Sequence, residues 1–458
     1  MKEFGYRRED ESMNRKGKII GLLLAIMLLM IGCSSQSDQS QTDQRKSEDG
    51  GVPMEGLEGS WSGTINVPNQ PLPIMTTFEK GDGWNGAISN PVQGVKDYPF
   101  SEVKVNASAI FFHMELAGQT ISFEGEKEGD TIAGTFTQQG QSFPFELKKG
   151  SSETDAEEEE KGQFLSVDTN EGKLYGELET PEEEGPHPVV VIIPGSGPTD
   201  RNGNSATLQG KNNSLKLLAE SLAEQGIASV RYDKRGVGKN QGAAIPETEL
   251  RFDQFAQDAQ AWIDMLNEKG QFSKVGVMGH SQGSLVGMLA IAEADVDAFV
   301  SIAGAGRPIN EVLYDQLKAS LPEDLKKQSK QILEELKAGE RVEQVPKELQ
   351  SVFRSSVQPF LSSWMQYNPA QEIQKLDIPV LIINGKRDLQ VPISEAEELH
   401  EAKADAELLL IEKMNHVLKE APEDRTGNLQ TYSNPDLPLA DGLVKGIVNF
   451  FRNTEFLK

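Results

Sequence analysis

The sequence predicts a doubly wound, mostly parallel α/β sheet with a helical cap insertion, preceded by a small all-β domain. Three observations predict this arrangement. After residue 163, short apolar runs alternate with amphipathic helical patterns. A Gly-x-Ser-x-Gly pentapeptide follows one of these runs, and the region 57–149 instead has short alternating strands divided by glycine-rich turns. Parallel strands are apolar on both faces, whereas antiparallel strands commonly alternate, so we expect two domains of different class.

The composition permits a large core and excludes several kinds of partner. The 458 residues are 37% hydrophobic, and 71 acidic against 45 basic residues give a formal net charge of −26. This charge repels phosphate backbones, so no nucleic-acid partner is expected. Cys33 is the only cysteine and there are five histidines, which excludes an internal disulfide and argues against a zinc site. No metal and no cofactor are therefore expected.

Residues 1–32 have the layout of a secretory signal peptide, because basic residues precede an apolar run from Ile19 to Ile31 that is short for a membrane span. The stretch Met30-Ile31-Gly32-Cys33 resembles a bacterial lipobox. The resemblance implies that Cys33 is lipidated as the first residue of the mature protein, which is exported and anchored to the membrane on its extracytoplasmic face. An ordinary signal followed by a chance cysteine is the alternative. Met13 is a second candidate for the start of translation.

Two polar segments divide the remaining chain. Residues 33–56 are rich in Ser, Gln, Asp and Gly, which is typical of a flexible tether. Residues 150–162 contain six acidic residues and one lysine, and their mutual repulsion predicts an extended spacer. We therefore expect one domain over 57–149 and another over 163–458.

The region 57–149 has the pattern of antiparallel β structure. Segments such as 60–67, 109–116 and 131–136 alternate or are rich in β-branched and aromatic residues, and glycine-containing turns separate them. The short strands loosely resemble a lipocalin-like barrel or a sandwich. Such a barrel either holds a ligand or is filled by side chains and serves as a spacer.

The region 163–458 has the alternating elements of a parallel α/β sheet. Helical patterns over 214–224 and 252–266 each place apolar residues on one face. They alternate with five nearly continuous apolar runs: Val189–Ile193, Ala228–Tyr232, Lys274–Met278, Ala298–Ile302 and Pro379–Ile383. Strands that alternate with helices predict a doubly wound sheet.

The pentapeptide Gly279-His-Ser-Gln-Gly283 lies between the run that ends at Met278 and an apolar helical pattern. In this context it is typical of a nucleophile elbow, a strained turn that lifts the Ser281 hydroxyl above the sheet. Side chains at 279 or 283 would crowd the adjoining strand and helix, which accounts for the glycines. A chance match within a glycine-rich loop is the alternative.

A serine hydroxyl needs a nearby base, and the base needs an acid that fixes its tautomer. Asp388 follows the run 380–383, at the carboxyl end of a predicted strand, where side chains reach the site. His416 lies in the loop after the last apolar run, 407–411. A turn-capping Asp and a solvated loop His are the alternatives. The other histidines fit less well, and His280 is expected to point away from the serine.

Acyl transfer also needs two N–H donors for the oxyanion. The backbone N–H of Gln282, directly after the nucleophile, is one candidate. Ser196, in Pro194-Gly-Ser-Gly197, is the other. A plain glycine-rich turn is the alternative at Ser196.

These residues are similar to those of the α/β-hydrolase superfamily, and within it to bacterial secreted esterases and serine-peptidase-like hydrolases. The resemblance covers about residues 164–458 and rests on the elbow and on the stretches 194–203 and 231–238. It implies the chain order nucleophile, acid, histidine. The candidates follow that order: Ser281, Asp388, His416.

One departure lies at the oxyanion loop, where Pro194-Gly195 stands in place of the His-Gly that many of these hydrolases have. It removes no catalytic group. Asp200 and Arg201, in the same loop, either orient the substrate or pair to hold the loop in shape. Asp233 and Arg235 follow a strand and are expected to anchor a loop.

Residues 307–370 interrupt the sheet between two predicted strands. The segment is polar and helical over 324–338 and then carries five apolar residues, Phe353, Phe360, Leu361, Trp364 and Met365. An insertion at this point is expected to form a cap whose apolar residues line the acyl pocket. Helices that pack only on the core are the alternative.

The first hypothesis is therefore a lipid-anchored serine hydrolase that cleaves small-molecule carboxylic esters, with Ser281 as nucleophile, His416 as base and Asp388 as its orienting acid. The second is a serine peptidase acting on short peptides, which would need a further site for a peptide terminus. The third, from another class, is a ligand-binding lipoprotein with an inactive hydrolase domain, and the presence of all three residues argues against it. The sequence selects neither a natural substrate nor an oligomeric state.

Overall fold

The structure is a computed structural model that describes residues 56–66, 72–81, 83–90, 95–116, 119–138, 141–149, 162–205, 210–318 and 321–458. The chain divides into two compact units between Gly162 and Gln163. The predicted signal segment and Cys33 lie outside the described residues, as do almost all of the tether and the acidic linker. Among the helices of the described ranges, none is long and apolar enough to cross a membrane.

The first unit is the predicted all-β domain, and its antiparallel architecture is confirmed. Its described strands form one sheet of nine in the order β4-β3-β2-β1-β9-β8-β7-β6-β5. The strands are β1 (Gly59–Ile65), β2 (Leu72–Lys80), β3 (Trp84–Asn90), β4 (Val95–Pro99), β5 (Glu102–Asn106), β6 (Ala109–Leu116), β7 (Gln119–Glu128), β8 (Thr131–Gln138) and β9 (Gln141–Lys149).

This sheet curls so that its two ends approach each other. Phe100 and Ser101, which connect β4 to β5, form hydrogen bonds with strands from the two ends of the sheet. Phe100 N donates to Gly86 O on β3 at 2.9 Å, and Ser101 N donates to His113 O on β6 at 2.8 Å. Because alternate strand residues face inward, the sheet encloses a buried aromatic cluster: Trp61, Phe78, Phe112, Phe123 and Phe145. Side chains therefore fill the space that the sheet encloses.

The second unit contains the predicted doubly wound, mostly parallel sheet, which is confirmed. The strand order is β10-β11-β13-β12-β14-β15-β16-β17. The pairs β10–β11 and β11–β13 are antiparallel, and the other neighbours are parallel. The strands are β10 (Gln163–Thr169), β11 (Gly172–Glu179), β12 (Val189–Ile193), β13 (Ala228–Tyr232), β14 (Val275–His280), β15 (Ala298–Ile302), β16 (Val380–Gly385) and β17 (Glu407–Ile411).

Helices cover both faces of this sheet. Strand β12 is buried throughout, because Val189 and Val191 face one core while Val190 and Ile192 face the other. The first core packs against α2, α3 and α9, and the second against α1 and α11. The described helices outside the cap are α1 (Ser214–Ala223), α2 (Phe252–Lys269), α3 (Gln282–Ile291), α9 (Ile393–Ala402), α10 (Arg425–Gln430) and α11 (Leu443–Asn453), with short 3₁₀ turns at Gly238–Ala243 and Thr431–Ser433.

The cap occupies the chain between β15 and β16. Its helices are α4 (Ile309–Lys318), α5 (Glu323–Lys337), α6 (Gln350–Phe353), α7 (Gln358–Trp364) and α8 (Pro369–Ile373), with a 3₁₀ turn at Lys347–Leu349. Two contacts tie α7 to the start of α2. Trp364 stacks on Phe252 with 5.1 Å between ring centroids, and Phe252 N donates to Ser363 Oγ at 2.9 Å. The cap is thereby fixed to the sheet-covering helices.

Candidate active site

Ser281 lies on the tight turn between β14 and α3. Its backbone has φ 55° and ψ −120°, and residues other than glycine seldom adopt a positive φ. Its N–H donates to Ile302 O at 2.8 Å, which ties the turn to β15. Backbone strain of this kind concentrates at functional sites, and here it places Ser281 on the wall of a cleft above the sheet.

The two glycines of the pentapeptide are required by close backbone contacts. A Cβ at Gly279 would lie 2.2 Å from Gly283 O, and one at Gly283 would lie 2.4 Å from Ile193 O. Neither distance is possible without a shift of the main chain. The small residues therefore allow α3 to start close to both β14 and β12.

Asp388 and His416 are in direct contact. Asp388 lies in the turn after β16, where Oδ1 accepts from Gln390 N at 2.7 Å and from Val391 N at 2.9 Å. Its Oδ2 accepts from His416 Nδ1 at 2.8 Å, and the two side chains are only 1% and 5% exposed. A buried carboxylate on Nδ1 keeps the proton on that nitrogen and leaves Nε2 free to act as a base.

The third candidate, Ser281, lies on the turn after β14, and its chain neighbour His280 contacts the backbone of His416. Among the described residues, Ser281 Oγ has no hydrogen-bond partner, so the serine and His416 are not bonded to each other. Nucleophile–base hydrogen bonds are often loose before substrate binds. The structure thus brings the acid and the histidine into contact, whereas the role of Ser281 as their nucleophile stays a prediction.

His280 connects the serine turn to the His416 loop. Its Nε2–H donates to the backbone carbonyl of His416 at 2.8 Å, and the two rings are 5.0 Å apart. Burial, together with the proximity of the His416 ring, lowers the pKa of His280 to about 4. The ring is therefore neutral near pH 7, and its Nε2 carries the proton that is donated to the carbonyl. Sequence reasoning missed this contact, although adjacency to Ser281 was the available signal.

The two oxyanion candidates line the cleft beside the serine. Ser196 and Gln282 both contribute to its wall. Within the described part of the chain, neither backbone N–H has a hydrogen-bond acceptor. A Cβ at Gly195 would lie 3.4 Å from Ser281 Cβ, so this loop runs directly past the nucleophile. The arrangement leaves two unpaired N–H donors near Ser281, as an oxyanion site requires.

Lys234 lies behind these donors and was not singled out from the sequence. Its Nζ donates to Gln282 Oε1 at 2.7 Å and to Gly195 O at 3.2 Å. The amine also lies 4.1 Å from the centroid of the Phe255 ring, and the residue is 6% exposed. Burial lowers the pKa of Lys234 to about 7, and the charge of Asp258 opposes this effect. Its position just after β13 was the only sequence signal.

Asp200 and Arg201, in the loop after β12, form hydrogen bonds with other residues of the protein. Asp200 accepts from Asn202 N at 2.9 Å and Asn204 N at 2.8 Å. Arg201 Nε donates to Glu177 Oε2 at 2.7 Å. The pKa of Asp200 is raised, because the effect of burial exceeds the opposing effect of its hydrogen bonds to Asn204 and Asn202. These contacts favour the loop-shaping role over a role in orienting substrate.

The same holds for the pair after β13. Asp233 accepts from Arg201 Nη1 at 3.1 Å, and Arg235 Nε donates to Asp258 Oδ2 at 2.8 Å. All of these groups are buried. Their contacts agree with the expected loop-anchoring role.

The cleft has a volume of about 60 Å³, and its wall is mainly apolar. Besides Ser196, Ser281 and Gln282, it is lined by Leu285, Ala305, Arg307, Ile309, Val312, Leu313, Gln316, Trp364, Pro369, Gln390 and Val391. Arg307 is the charged member, and it is paired with Glu395 at 2.9 Å and Asp315 at 3.0 Å. Helix α4 supplies three of the eight apolar residues, and α3 supplies one.

The cap lines this cleft with other residues than the sequence predicted. Of the five apolar residues predicted to line it, only Trp364 does so. The other four are buried in the first core: Phe353, Phe360, Leu361 and Met365. The pocket instead uses α4, whose first residue is Ile309. Helical periodicity identifies an apolar face but not whether that face meets a core or a cleft.

No group of three or more His, Cys, Asp or Glu side chains in the described ranges is arranged to hold a metal ion. The chemistry available to the site is that of a serine, a histidine–aspartate pair and backbone donors. This set is suited to acyl transfer through a covalent intermediate.

Comparison with known proteins connects this geometry to a group of hydrolases. A family model described as "Serine aminopeptidase, S33" matches residues 211–422. The matched range contains Ser281, Asp388 and His416, whereas Ser196 lies before it.

The esterase EstD of Thermotoga maritima is 29% identical to this chain over 307 residues, which cover 64% of this chain and 67% of that protein. Among solved structures, Est1E from Butyrivibrio proteoclasticus is 18% identical with a TM-score of 0.42, covering 64% of this chain and 99% of that one. The Pyrococcus furiosus esterase Pf2001 is 17% identical with a TM-score of 0.41, covering 64% of this chain and 91% of that one.

Proposed function

From the premise that the chain is a serine hydrolase with the α/β-hydrolase fold, we propose that it hydrolyses carboxylic esters of small, uncharged molecules. The main support for this proposal is the composition of the cleft wall. Its surface is mainly apolar and includes Ser281. Among the described residues that line it, Arg307 is the charged one, and it is already paired with carboxylates. Such a wall suits an apolar acyl or alcohol group.

In the proposed mechanism, Ser281 Oγ attacks the ester carbonyl while His416 Nε2 takes up the hydroxyl proton. Asp388 holds His416 by its Nδ1–H and stabilises the imidazolium that forms. The backbone N–H groups of Ser196 and Gln282 bind the oxyanion of the tetrahedral intermediate. His416 then gives its proton to the leaving alcohol, which leaves an acyl-enzyme on the serine. Water, activated by His416, attacks this acyl group and releases the acid.

The charge of the cleft favours esters over peptides with a free amino terminus. An aminopeptidase substrate carries an ammonium group close to the scissile bond, and a carboxylate is the natural partner for it. Among the described residues that line the cleft there is no Asp or Glu, and the charged one is a cation. The description of the matched family nevertheless makes peptides the second candidate substrate.

The test measures ester hydrolysis by a fragment of the protein that begins after Cys33 and by the Ser281→Ala variant of that fragment. We expect hydrolysis of p-nitrophenyl esters, a loss of about 10⁴-fold or more in kcat for the variant, and fluorophosphonate labelling of the wild type only. Aminoacyl p-nitroanilides should be poor substrates. Turnover of the anilides in preference to the esters would instead favour the peptidase. Absence of both turnover and labelling would contradict a serine hydrolase mechanism through Ser281.

We also propose that the protein is exported and lipid-anchored through Cys33. The basic and apolar segment followed by Met30-Ile31-Gly32-Cys33 supports this proposal. Metabolic labelling with a radioactive fatty acid should mark the wild type and leave Cys33→Ala unlabelled. Equal labelling of both, or of neither, would contradict it.

A further inference from the structure

The oxyanion site is built on one peptide group that Lys234 contacts from behind. The carbonyl of Gly195 and the N–H of Ser196 belong to the same peptide unit, and the described peptide bonds are all trans. In a trans peptide the C=O and N–H point in opposite directions. A hydrogen bond from Lys234 Nζ to Gly195 O at 3.2 Å therefore helps to direct the Ser196 N–H away from the lysine.

The second donor is held by the same amine. Lys234 Nζ donates to the side-chain Oε1 of Gln282 at 2.7 Å, and the backbone N–H of Gln282 is the other oxyanion candidate. One amine thus contacts the Gly195–Ser196 peptide and the Gln282 side chain, although these lie in segments more than eighty residues apart in the sequence.

We propose that Lys234 is a positioning residue that fixes both oxyanion donors and places a buried positive charge behind them. This inference rests on the proposed function. Lys234 does not touch the substrate in this arrangement, since it acts through the Gly195–Ser196 peptide and the Gln282 side chain.

The surroundings of the amine leave its charge available to the site. It lies by a small cavity of about 10 Å³ with mostly apolar walls, including Ile193, Phe255 and Val286. Within the described residues, its two hydrogen bonds both go to neutral oxygens. A buried cation without a bonded carboxylate is costly to fold. The same charge stabilises an oxyanion strongly, because low-polarity surroundings screen it little.

The ionisable groups that face Lys234 are already engaged. Asp258, on α2, bonds to Arg235 at 2.8 Å, and Arg235 also pairs with Glu171 at 3.3 Å. Tyr232 lines the same cavity, and burial raises its pKa well above the usual range. The charge of Asp258 favours protonated Lys234, whereas burial lowers the pKa of the lysine to about 7.

These groups predict a characteristic pH profile. Lys234 must be protonated to support the oxyanion site, so kcat/KM falls as the pH rises through the pKa of about 7. Without the amine, the descending limb should disappear.

The test compares the wild type with Lys234→Met, which keeps the length of the side chain and removes its charge. With p-nitrophenyl esters, we expect kcat to fall about 10- to 100-fold while KM changes less than about twofold. The affinity of a trifluoromethyl ketone, which forms a tetrahedral oxyanion on the serine, should fall with kcat. The variant should also lose the alkaline limb of the pH profile.

Two further variants make the result decisive. Lys403→Met is the matched control, since Lys403 is 9% exposed, pairs with Asp405 and lies at the end of α9. It should keep wild-type kinetics. Lys234→Arg retains a cation and should recover most of kcat, with its descending limb moved to higher pH. This variant decides the matter if circular dichroism shows that Lys234→Met does not fold.

The measurements distinguish failure of the role proposed for Lys234 from failure of the proposed function. If the wild type is active and folded Lys234→Met has the same kcat, inhibitor affinity and pH profile, the role proposed for Lys234 is wrong. The proposed function would not be affected by that result. A folded Lys234→Arg variant as inactive as an unfolded Lys234→Met variant would also contradict that role, because the charge would then give no rescue. A wild type without ester turnover and without fluorophosphonate labelling would instead refute the proposed function and this inference with it.

Discussion

Gly283 shows how single residues without side chains make the serine turn possible. A methyl group there would approach Ile193 O to 2.4 Å and Pro194 O to 2.8 Å. Both oxygens belong to the main chain leading into the oxyanion loop, so relief would move Ser196 relative to Ser281. The geometry of the nucleophile and of the oxyanion site is therefore set by the same contact.

Gly283→Ala should both destabilise the protein and impair catalysis. We expect a loss of about 3 kcal/mol in the free energy of unfolding, since overpacking against backbone has no easy relief. The folded fraction should react with fluorophosphonate at least tenfold more slowly than the wild type. Urea unfolding and labelling rates measure the two effects. Gly242→Ala is the matched control, because nothing lies within 4 Å of a Cβ at Gly242, and it should be neutral in both.

His280 makes stability depend on pH. In the folded protein its pKa is lowered to about 4, from an ordinary value of 6.5. Between these values the unfolded chain binds more protons than the folded one, so stability falls as the pH decreases from 6.5 towards 4. At about 1.4 kcal/mol per unit, this residue accounts for a loss of about 3 kcal/mol across that interval.

His280→Gln should flatten this dependence while keeping an N–H donor for the His416 carbonyl. The difference in unfolding free energy between the variant and the wild type should change by about 3 kcal/mol between pH 6.5 and pH 4 in favour of the variant. Urea unfolding at pH 4, 5 and 6.5 measures it. A difference that is constant across these pH values would show that His280 titrates normally.

Sequence reasoning identified the residues whose chemistry is unusual for their local context. Ser281 follows a strand and precedes a helix between two glycines, and Asp388 and His416 follow the ends of apolar runs. Lys234 and His280 escaped it because their roles depend on distances across the fold. Lys234 meets Gln282 from 48 positions away, and His280 meets His416 from 136 positions away.

Among the secondary-structure elements, the central strands were the most predictable. Val189–Ile193 is buried on both faces, so its sequence is apolar throughout. The hairpin of β10 and β11 was not predicted, because strand β11 alternates buried and exposed residues like the strands of the preceding domain. Its place in the second sheet is set by antiparallel pairing with β13, which local pattern does not encode.

Helix α4 contributes more residues to the wall of the cleft than any other described cap helix. Ile309, Val312 and Leu313 all line it, and Arg307 before the helix is held by Glu395. The α7 residues mostly lie in the core. Selectivity for the size of the acyl group should therefore depend on α4.

Ile309→Trp should narrow the cleft and move the preference towards shorter acyl groups. We expect kcat/KM for p-nitrophenyl octanoate to fall about tenfold or more relative to the acetate, because the added ring volume competes with the longer chain. The ratio of the two kcat/KM values measures this effect. Ile309→Leu conserves volume and should leave the ratio within about twofold. An unchanged ratio in Ile309→Trp would place the acyl group elsewhere.

As a whole molecule, the protein consists of two units that each have their own core. Among the described residues, the buried core of the first unit is made of residues between 57 and 147, and the two buried cores of the second unit are made of residues from 167 onwards. Every residue proposed to act in catalysis lies after residue 163. The acidic segment between the units was the sequence feature that predicted the boundary.

We therefore expect residues 163–458 to fold and to hydrolyse esters without the β domain. Because the fragment retains the whole sheet, the cap and the cleft, its kcat/KM should agree within about twofold with that of a longer fragment, 34–458. Its thermal transition should coincide with one of the transitions of the longer fragment, since units with separate cores unfold separately. Calorimetry and ester turnover of both fragments measure this. A tenfold loss of kcat/KM in a folded 163–458 fragment would mean that the β domain contributes to the active site. Failure of that fragment to fold would mean that the two cores depend on each other.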